Sequence, residues 1–194
     1  MLSYFYSSSP EPKIKEEEST DPSIYPELGP EFDEEVCFSQ LIQAFENRDG
    51  KDWQVHLDEP NFKQWWCYVE NCPVIWLKCR TVLKCPAELL RVVGQDLSIR
   101  ETWDLQCKDF KKFFKTPDGS KCRFTFTFKS PAPLMVSDRE FYIQELTRKD
   151  WPLPGDIAMI AKSLPEHKEL PIDGSKVRAN MVISGFIYRP KIDE

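Results

Sequence analysis

Acid–base chemistry in this chain would have to rest on two histidines, His56 and His167, because the 194 residues contain no others. His56 lies in a strand-like run and His167 in a loop-like one, and neither stands at a motif spacing from a nucleophile. Each therefore reads as an ordinary strand or loop residue and not as a general base. The chain has no Gly-x-Ser-x-Gly elbow, no His-Glu-x-x-His pair and no phosphate-cradling loop, and seven glycines leave little material for one. The series Cys67-x4-Cys72-x6-Cys79-x5-Cys85 invites a zinc reading. Structural zinc takes close cysteine pairs on turns, whereas Cys67 and Cys79 fall inside strand-like runs where a thiol packs as a small apolar group. The expectation is a non-enzyme with neither metal nor cofactor.

What remains is chemistry of binding. Phe110, Phe113, Phe114, Phe124, Phe126, Phe128, Phe141 and Tyr142 concentrate rings on neighbouring strands, as a hydrophobic core or a ligand cavity would. Arg100 falls in a helical segment, where an isolated arginine is usually solvated. Pointed into a cavity, a guanidinium is a strong anchor for phosphate or carboxylate. Trp65 and Trp66 are adjacent in a strand and must face opposite ways, which predicts one exposed ring able to touch a membrane interface or a partner.

Elements can be placed around these residues. Asp33, Glu34 and Glu35 suit a helix amino terminus, and Phe38, Leu41, Ile42 and Phe45 follow at i, i+3, i+4, i+7, with Gly50 just past the predicted end. Three strands follow over 53–57, 62–69 and 74–83. Pro86 in a first helical turn and the apolar Leu89, Leu90, Val92 and Val93 predict a second helix ending at Gly94. Ser98-Ile99-Arg100-Glu101 has the form of a capping box and predicts a short third helix carrying Arg100. Pro117-Asp118-Gly119 predicts a hairpin turn whose second strand alternates Cys122, Phe124, Phe126 and Phe128 with Arg123, Thr125, Thr127 and Lys129, one face buried and one wet. Further strands are expected over 140–148, 156–164 and 177–188. This order predicts an α+β domain with a large antiparallel sheet, curved enough to enclose a cavity under its helices.

Composition bounds the class. With 41% hydrophobic, 13% aromatic and 30% charged residues the chain is globular. No apolar run approaches the ~18 residues of a membrane span. The start Met1-Leu2-Ser3-Tyr4-Phe5-Tyr6 does not resemble a secretory signal, and an odd total of seven cysteines fits reduced thiols, so the expected location is cytoplasmic. From Pro10 to Glu35 ten carboxylates face two lysines, a balance of −8 within a total of −6, which leaves +2 for the remainder. Residues 1–31 read as a disordered acidic Pro/Ser/Glu-rich tail and 32–194 as the folded domain. A nearly neutral domain behind an acidic tail has no electrostatic footprint for nucleic acid.

Several segments, taken together, resemble the StAR-related lipid transfer (START) domain. They are Asp52-Trp53-Gln54, then Ser98-Ile99-Arg100-Glu101-Thr102-Trp103-Asp104, then Pro131-Ala132-Pro133 with Val136-Ser137-Asp138-Arg139-Glu140-Phe141-Tyr142, and last Val177-Arg178-Ala179-Asn180 leading to Ser184-Gly185-Phe186-Ile187. The resemblance implies a helix-grip fold, a curved antiparallel sheet around a tunnel holding one lipid, and movement of that lipid between membranes without covalent chemistry. The Arg-x-x-Trp-Asp form is similar to the phosphatidylcholine transfer branch, where the matching arginine contacts the lipid phosphate, which implies that role for Arg100. Positions matching that branch's choline cage are Phe126, Phe141 and Val182, an incomplete aromatic set. Gly94 and Ser184 align where the branch has a tyrosine and a glutamine on the lipid. The implied ligand is a glycerophospholipid with a choline or ethanolamine headgroup.

Family members continue beyond the segment matching 177–190 with more strands and a carboxy-terminal helix that lids the tunnel and meets the membrane. This chain stops at Glu194. The expectation is a START-like domain incomplete at that end, with a tunnel open along one side. Such a form would be either a lipid carrier in transient contact with membranes or a non-transferring module whose open groove takes a partner protein.

Overall fold

The computed structural model describes residues 33–68, 75–130, 132, 136–164 and 176–190. The tail assigned to 1–31, and with it Cys72, Pro131, Pro133 and His167, lies outside the described residues.

Helix α1 spans Glu34–Phe45, with the Asp33 carboxylate accepting the Val36 N–H at its start. It ends before Gly50, at Glu46, because Asn47 already takes the left-handed conformation at φ 58°. Strands β1 (Gln54–Glu59), β2 (Phe62–Cys67) and β3 (Trp76–Thr81) form a three-stranded antiparallel sheet in that order. Helices α2 (Ala87–Gln95) and α3 (Leu97–Trp103) come next. The second sheet is built from β4 (Cys107–Lys115), β5 (Lys121–Phe128), β6 (Arg139–Lys149), β7 (Ile157–Ser163) and β9 (Ser184–Tyr188), hydrogen-bonded in that order. The run expected as one strand over 177–188 is split, because its first part, β8 (Val177–Arg178), pairs parallel with Arg139 and Glu140 at the start of β6. All other pairings are antiparallel. The architecture is the expected α+β helix grip, with an open sheet and not a closed barrel.

The two helical groups lie on opposite faces of the large sheet. On one face α1 inserts Cys37 and Phe38 against Leu146, Ala158 and Ile160, with Leu41, Trp151, Ile183 and Ile187 around them. On the other, Leu97 of α3 meets Cys107, Cys122, Phe124, Phe126 and Ile143. This corrects the expectation for β5. Arg123, Thr125 and Thr127 are buried like the phenylalanines, because β5 is an interior strand and its second face carries the Phe114 ring 5.8 Å from the Arg123 guanidinium. The hairpin before it is as expected: Gly119 has φ 69° and Asp118 accepts the Ser120 N–H.

The small sheet leans on the carboxyl end of α1 through Lys78, whose ammonium donates to the Ala44 carbonyl at 2.8 Å and lies 4.2 Å from the Trp53 ring centroid. Trp65 shares that face with Lys78, while Trp66 faces away with His56 and Tyr68. Both indoles are half-buried, so the exposed groups on the outer face are His56, Leu77 and Tyr68, not a tryptophan. Among the described residues no helix is long and apolar enough to cross a membrane.

The end of β9 is pinned by Arg189, which donates to both oxygens of Asp156, a carboxylate only 2% exposed at the mouth of β7. Arg189→Ala leaves that carboxylate buried without its partner. The expected result is a loss of about 2 kcal/mol, read as a melting temperature lower by roughly 4–8 °C.

Candidate functional site

The face of the large sheet under α2 and α3 carries Phe126, Phe141 and Ser184, while Arg100 and Gly94 belong to the helices themselves. Arg100 sits in α3, whose start is capped by Asp96, not by Ser98: the Asp96 carboxylate accepts the Ser98 and Ile99 N–H groups. Glu101, expected to complete a capping box, accepts the Phe110 N–H at 3.2 Å and so ties α3 to β4. Arg100 Nε reaches Asp104 at 3.4 Å, and its guanidinium carbon lies 5.6 Å from the Phe110 centroid and 5.9 Å from that of Phe126. Burial opposes ionisation of Asp104, but hydrogen bonds from Cys107 and the charge of Arg100 outweigh it and hold the carboxyl below its ordinary value.

Below the arginine, three rings from adjacent strands stack. Phe110 and Phe126 have centroids 5.4 Å apart at 21°, and Phe126 and Phe141 are 5.0 Å apart at 10°. Phe126 is therefore flanked on both faces by other rings. Gly94 is explained by the close approach of α2 to β9: a Cβ there would stand 3.2 Å from the Tyr188 hydroxyl. It lies inside α2, which continues to Gln95, and does not end the helix as expected. Ser184 opposes Ala161 and faces the same side. Val182 is 44% exposed, and it is its neighbour Met181 that packs on the ring cluster.

Beside the ring stack a cleft of about 460 Å³ opens between α2–α3 and β4, with Arg91, Gln95, Leu97, Phe110, Lys112 and Lys115 in its wall. Behind Gln95 lies a residue that the sequence reading missed. Glu145 of β6 shares a face with Phe141 and Ile143, is 7% exposed, and accepts the Gln95 amide at 3.1 Å. The same amide donates to Thr147 at 2.6 Å, while the Gln95 carbonyl accepts from Arg91. Burial pushes the Glu145 carboxyl up to about 7, opposed in part by Gln95 and by the charges of Arg100, Arg91 and Lys115. Tyr188 is pushed up to about 12 by burial and by Glu145. The available signal was Glu145's place two residues beyond Ile143, on the face that the strand alternation assigns to the core.

Because Glu145 titrates near 7 when folded and near 4.5 when unfolded, the folded state holds a proton that the unfolded state has released in between. The stability this group contributes is complete below about pH 4.5 and lost as pH rises through about 7. Glu145→Gln stays neutral throughout. Its melting temperature relative to wild type is expected to rise steadily from pH 4.5 to about pH 8, and a constant offset would contradict the burial argument.

Cys67 and Cys107 are buried and Cys79 is exposed, burial pushes the Cys107 thiol up to about 11, and among the described residues no cluster of His, Cys, Asp and Glu could hold a metal ion.

No family model matches the chain, and no curated protein matches it in sequence. Solved structures do match its fold. Human STARD10 has a TM-score of 0.68 at 19% identity over 82% of this chain and 62% of that one. Human StAR-related lipid transfer protein 5 has 0.68 at 18% over 81% and 73%. A STAR-related lipid transfer protein fragment from Xanthomonas axonopodis has 0.62 at 20% over 73% and 75%. The fold is that of a START domain, and the chain spans less than two thirds of the length of the STARD10 chain.

Proposed function

We propose that the protein binds one lipid on the helix-covered face of its large sheet and carries it between membranes, the ligand being a glycerophospholipid. The observation that carries this reading is Arg100 poised over the Phe110–Phe126–Phe141 stack on that face, a cation set above an apolar floor. Support comes from the START fold and from neighbours whose names describe lipid transfer proteins. The guanidinium offers forked N–H donors to a phosphate, and the apolar face removes acyl chains from water at about 0.8 kcal/mol per CH₂. Nothing in this scheme requires catalysis or a cofactor. Work between membranes fits a cytoplasmic protein in transient peripheral contact with them, without nucleic acid as a partner.

A transfer assay tests it. Donor vesicles carrying labelled phosphatidylcholine or phosphatidylethanolamine are mixed with unlabelled acceptors and the full chain. Label transfer that rises with protein concentration is expected, and a folded protein giving no transfer and no bound lipid would overturn the reading.

One observation favours a second reading, a non-transferring module whose groove binds a partner protein. Strand β9 has no strand beyond it among the described residues, and its Phe186, stacked on Tyr188, is 56% exposed on the ligand-binding face. Stoichiometric co-purification of a protein segment without lipid would support this second reading over the first.

A further inference from the structure

The second face of the large sheet, the one that α1 crosses, holds a polar row that lipid carriage leaves unused. Arg123 of β5, Gln144 of β6 and Lys162 of β7 are cross-strand neighbours on it, and Phe114 of β4 extends the row past Arg123. Gln144 is fully buried and Arg123 is 8% exposed. The Gln144 carbonyl accepts Arg123 Nε at 2.8 Å, while its amide nitrogen Nε2 has no hydrogen-bond partner among the described residues. A buried donor without an acceptor is costly, so this position calls for an oxygen above it. Between two cations an acidic group supplies that oxygen best. The buried residues of α1, Cys37 and Phe38, pack on Leu146 and Ile160, one row nearer the β4–β5 hairpin.

We infer that residues 21–32, which lie outside the described residues, dock on this face beside α1 and place the Glu31 carboxylate over the row of Arg123, Gln144 and Lys162. Position is the first reason. At the start of α1, Glu34 stands 3.4 Å from Lys121, and Lys121 is two residues from Arg123 on the same face, a step of about 6.5 Å. Glu31 precedes Asp33 by two residues, and an extended chain covers about the same distance. Charge is the second reason. Glu34 and Glu35 already balance Lys121 and Arg148, and Lys111, Arg123 and Lys162 add three positive charges to this part of the face. At its far end Lys176 with Asp109 and Arg178 with Glu140 form balanced pairs. Segment 21–32 carries three carboxylates, Asp21, Glu27 and Glu31, and no cation. Its Tyr25 and Leu28 bring apolar groups for the rings of Phe113 and Phe114 beside the row. The acidic tail is thereby divided near residue 20, and its second part belongs to the folded domain. Nothing in this depends on what the opposite face binds.

Hydrogen exchange of the full chain, read by mass spectrometry, tests the docking. In wild type the amides of 21–32 should exchange at least about tenfold more slowly than those of 1–20, at every protein concentration. The double variant Glu27→Lys/Glu31→Lys should lose that protection while β5, β6 and β7 keep theirs. Gln144→Glu, which keeps an acceptor for Arg123 but puts a carboxylate where the amide donor stood, should lose it too. Free exchange throughout 1–32 in wild type overturns the docking. So does protection that appears only at high concentration, as between two copies, or that persists unchanged in the folded double variant. Protection of 165–175 with none in 21–32 would assign the cover to that other stretch and overturn it as well. The wild-type profile decides the matter even if neither variant folds.

Discussion

Replacing Arg100 with alanine is expected to lower phospholipid loading at least tenfold while moving the melting temperature by only a few degrees. Two separate quantities set these sizes. A hydrogen-bonded contact between a guanidinium and phosphate contributes roughly 1.5–3 kcal/mol, equivalent to ten- to a hundredfold in binding. Within the protein Arg100 makes a long contact to Asp104 at 3.4 Å and lies over Phe110 and Phe126, with about a quarter of its side chain exposed. Losing a partly solvated cation–π contact costs about 0.5–1 kcal/mol, or roughly 1–4 °C in a domain of this size. Arg100→Lys separates charge from geometry: it keeps the charge but loses the planar fork, and should recover only part of the loading. Folded Arg100→Ala that loads phospholipid like wild type would remove Arg100 from the site.

The largest expected effect on stability belongs to Gly185. This residue lies in β9 opposite Ile160, at the point where α1 crosses the sheet. A Cβ built there would stand 2.8 Å from the Met159 carbonyl oxygen and 2.9 Å from Leu41 Cδ1. The first neighbour is backbone and cannot turn aside, so strand and helix must separate. Gly185→Val adds three carbons to that space and should destabilise by at least about 3 kcal/mol, lowering the melting temperature by 6–12 °C or more. The shared mechanism predicts rescue: Leu41→Ala vacates the helix side of the contact, so the double variant should lose less than the two single losses added. Strict additivity would show that the two residues do not meet as described.

Much of the fold follows from patterns visible in the chain. Asp33 caps α1, Asp118-Gly119 turns the β4–β5 hairpin, and the alternation from Cys122 to Phe128 places the phenylalanines on the face that α3 covers. These are local signals, in which a side chain and its own backbone determine the outcome. What could not be read locally depends on neighbours distant in sequence. Ser98-x-x-Glu101 has capping-box form, yet Asp96 competes for the same N–H groups and Glu101 is drawn off by Phe110. Thr125 and Thr127 look solvent-facing in sequence, but burial of their face depends on where β5 stands in the sheet.

The site divides in the same way. Arg100 and the rings Phe126 and Phe141 were marked by type and spacing, and the fold brings them together. Gly94 and Ser184 stand out only through the resemblance to the family; Gly94 lies where α2 meets Tyr188, and Ser184 lies opposite Ala161 on the face covered by α2 and α3. Val182 stands exposed beside the cluster that Met181 enters. Glu145 and Gln95, fifty residues apart in sequence, become partners only when α2 closes over β6. No spacing rule reaches that far.

The central claim is that this chain encloses a phospholipid, and native mass spectrometry of the purified full chain tests it most directly, with extraction and identification of whatever is bound. The account predicts a dominant species heavier than the polypeptide by the mass of one phospholipid, lost on organic extraction and restored by incubation with phosphatidylethanolamine vesicles. A folded chain that stays at the bare polypeptide mass, as purified and after exposure to such vesicles, would contradict it.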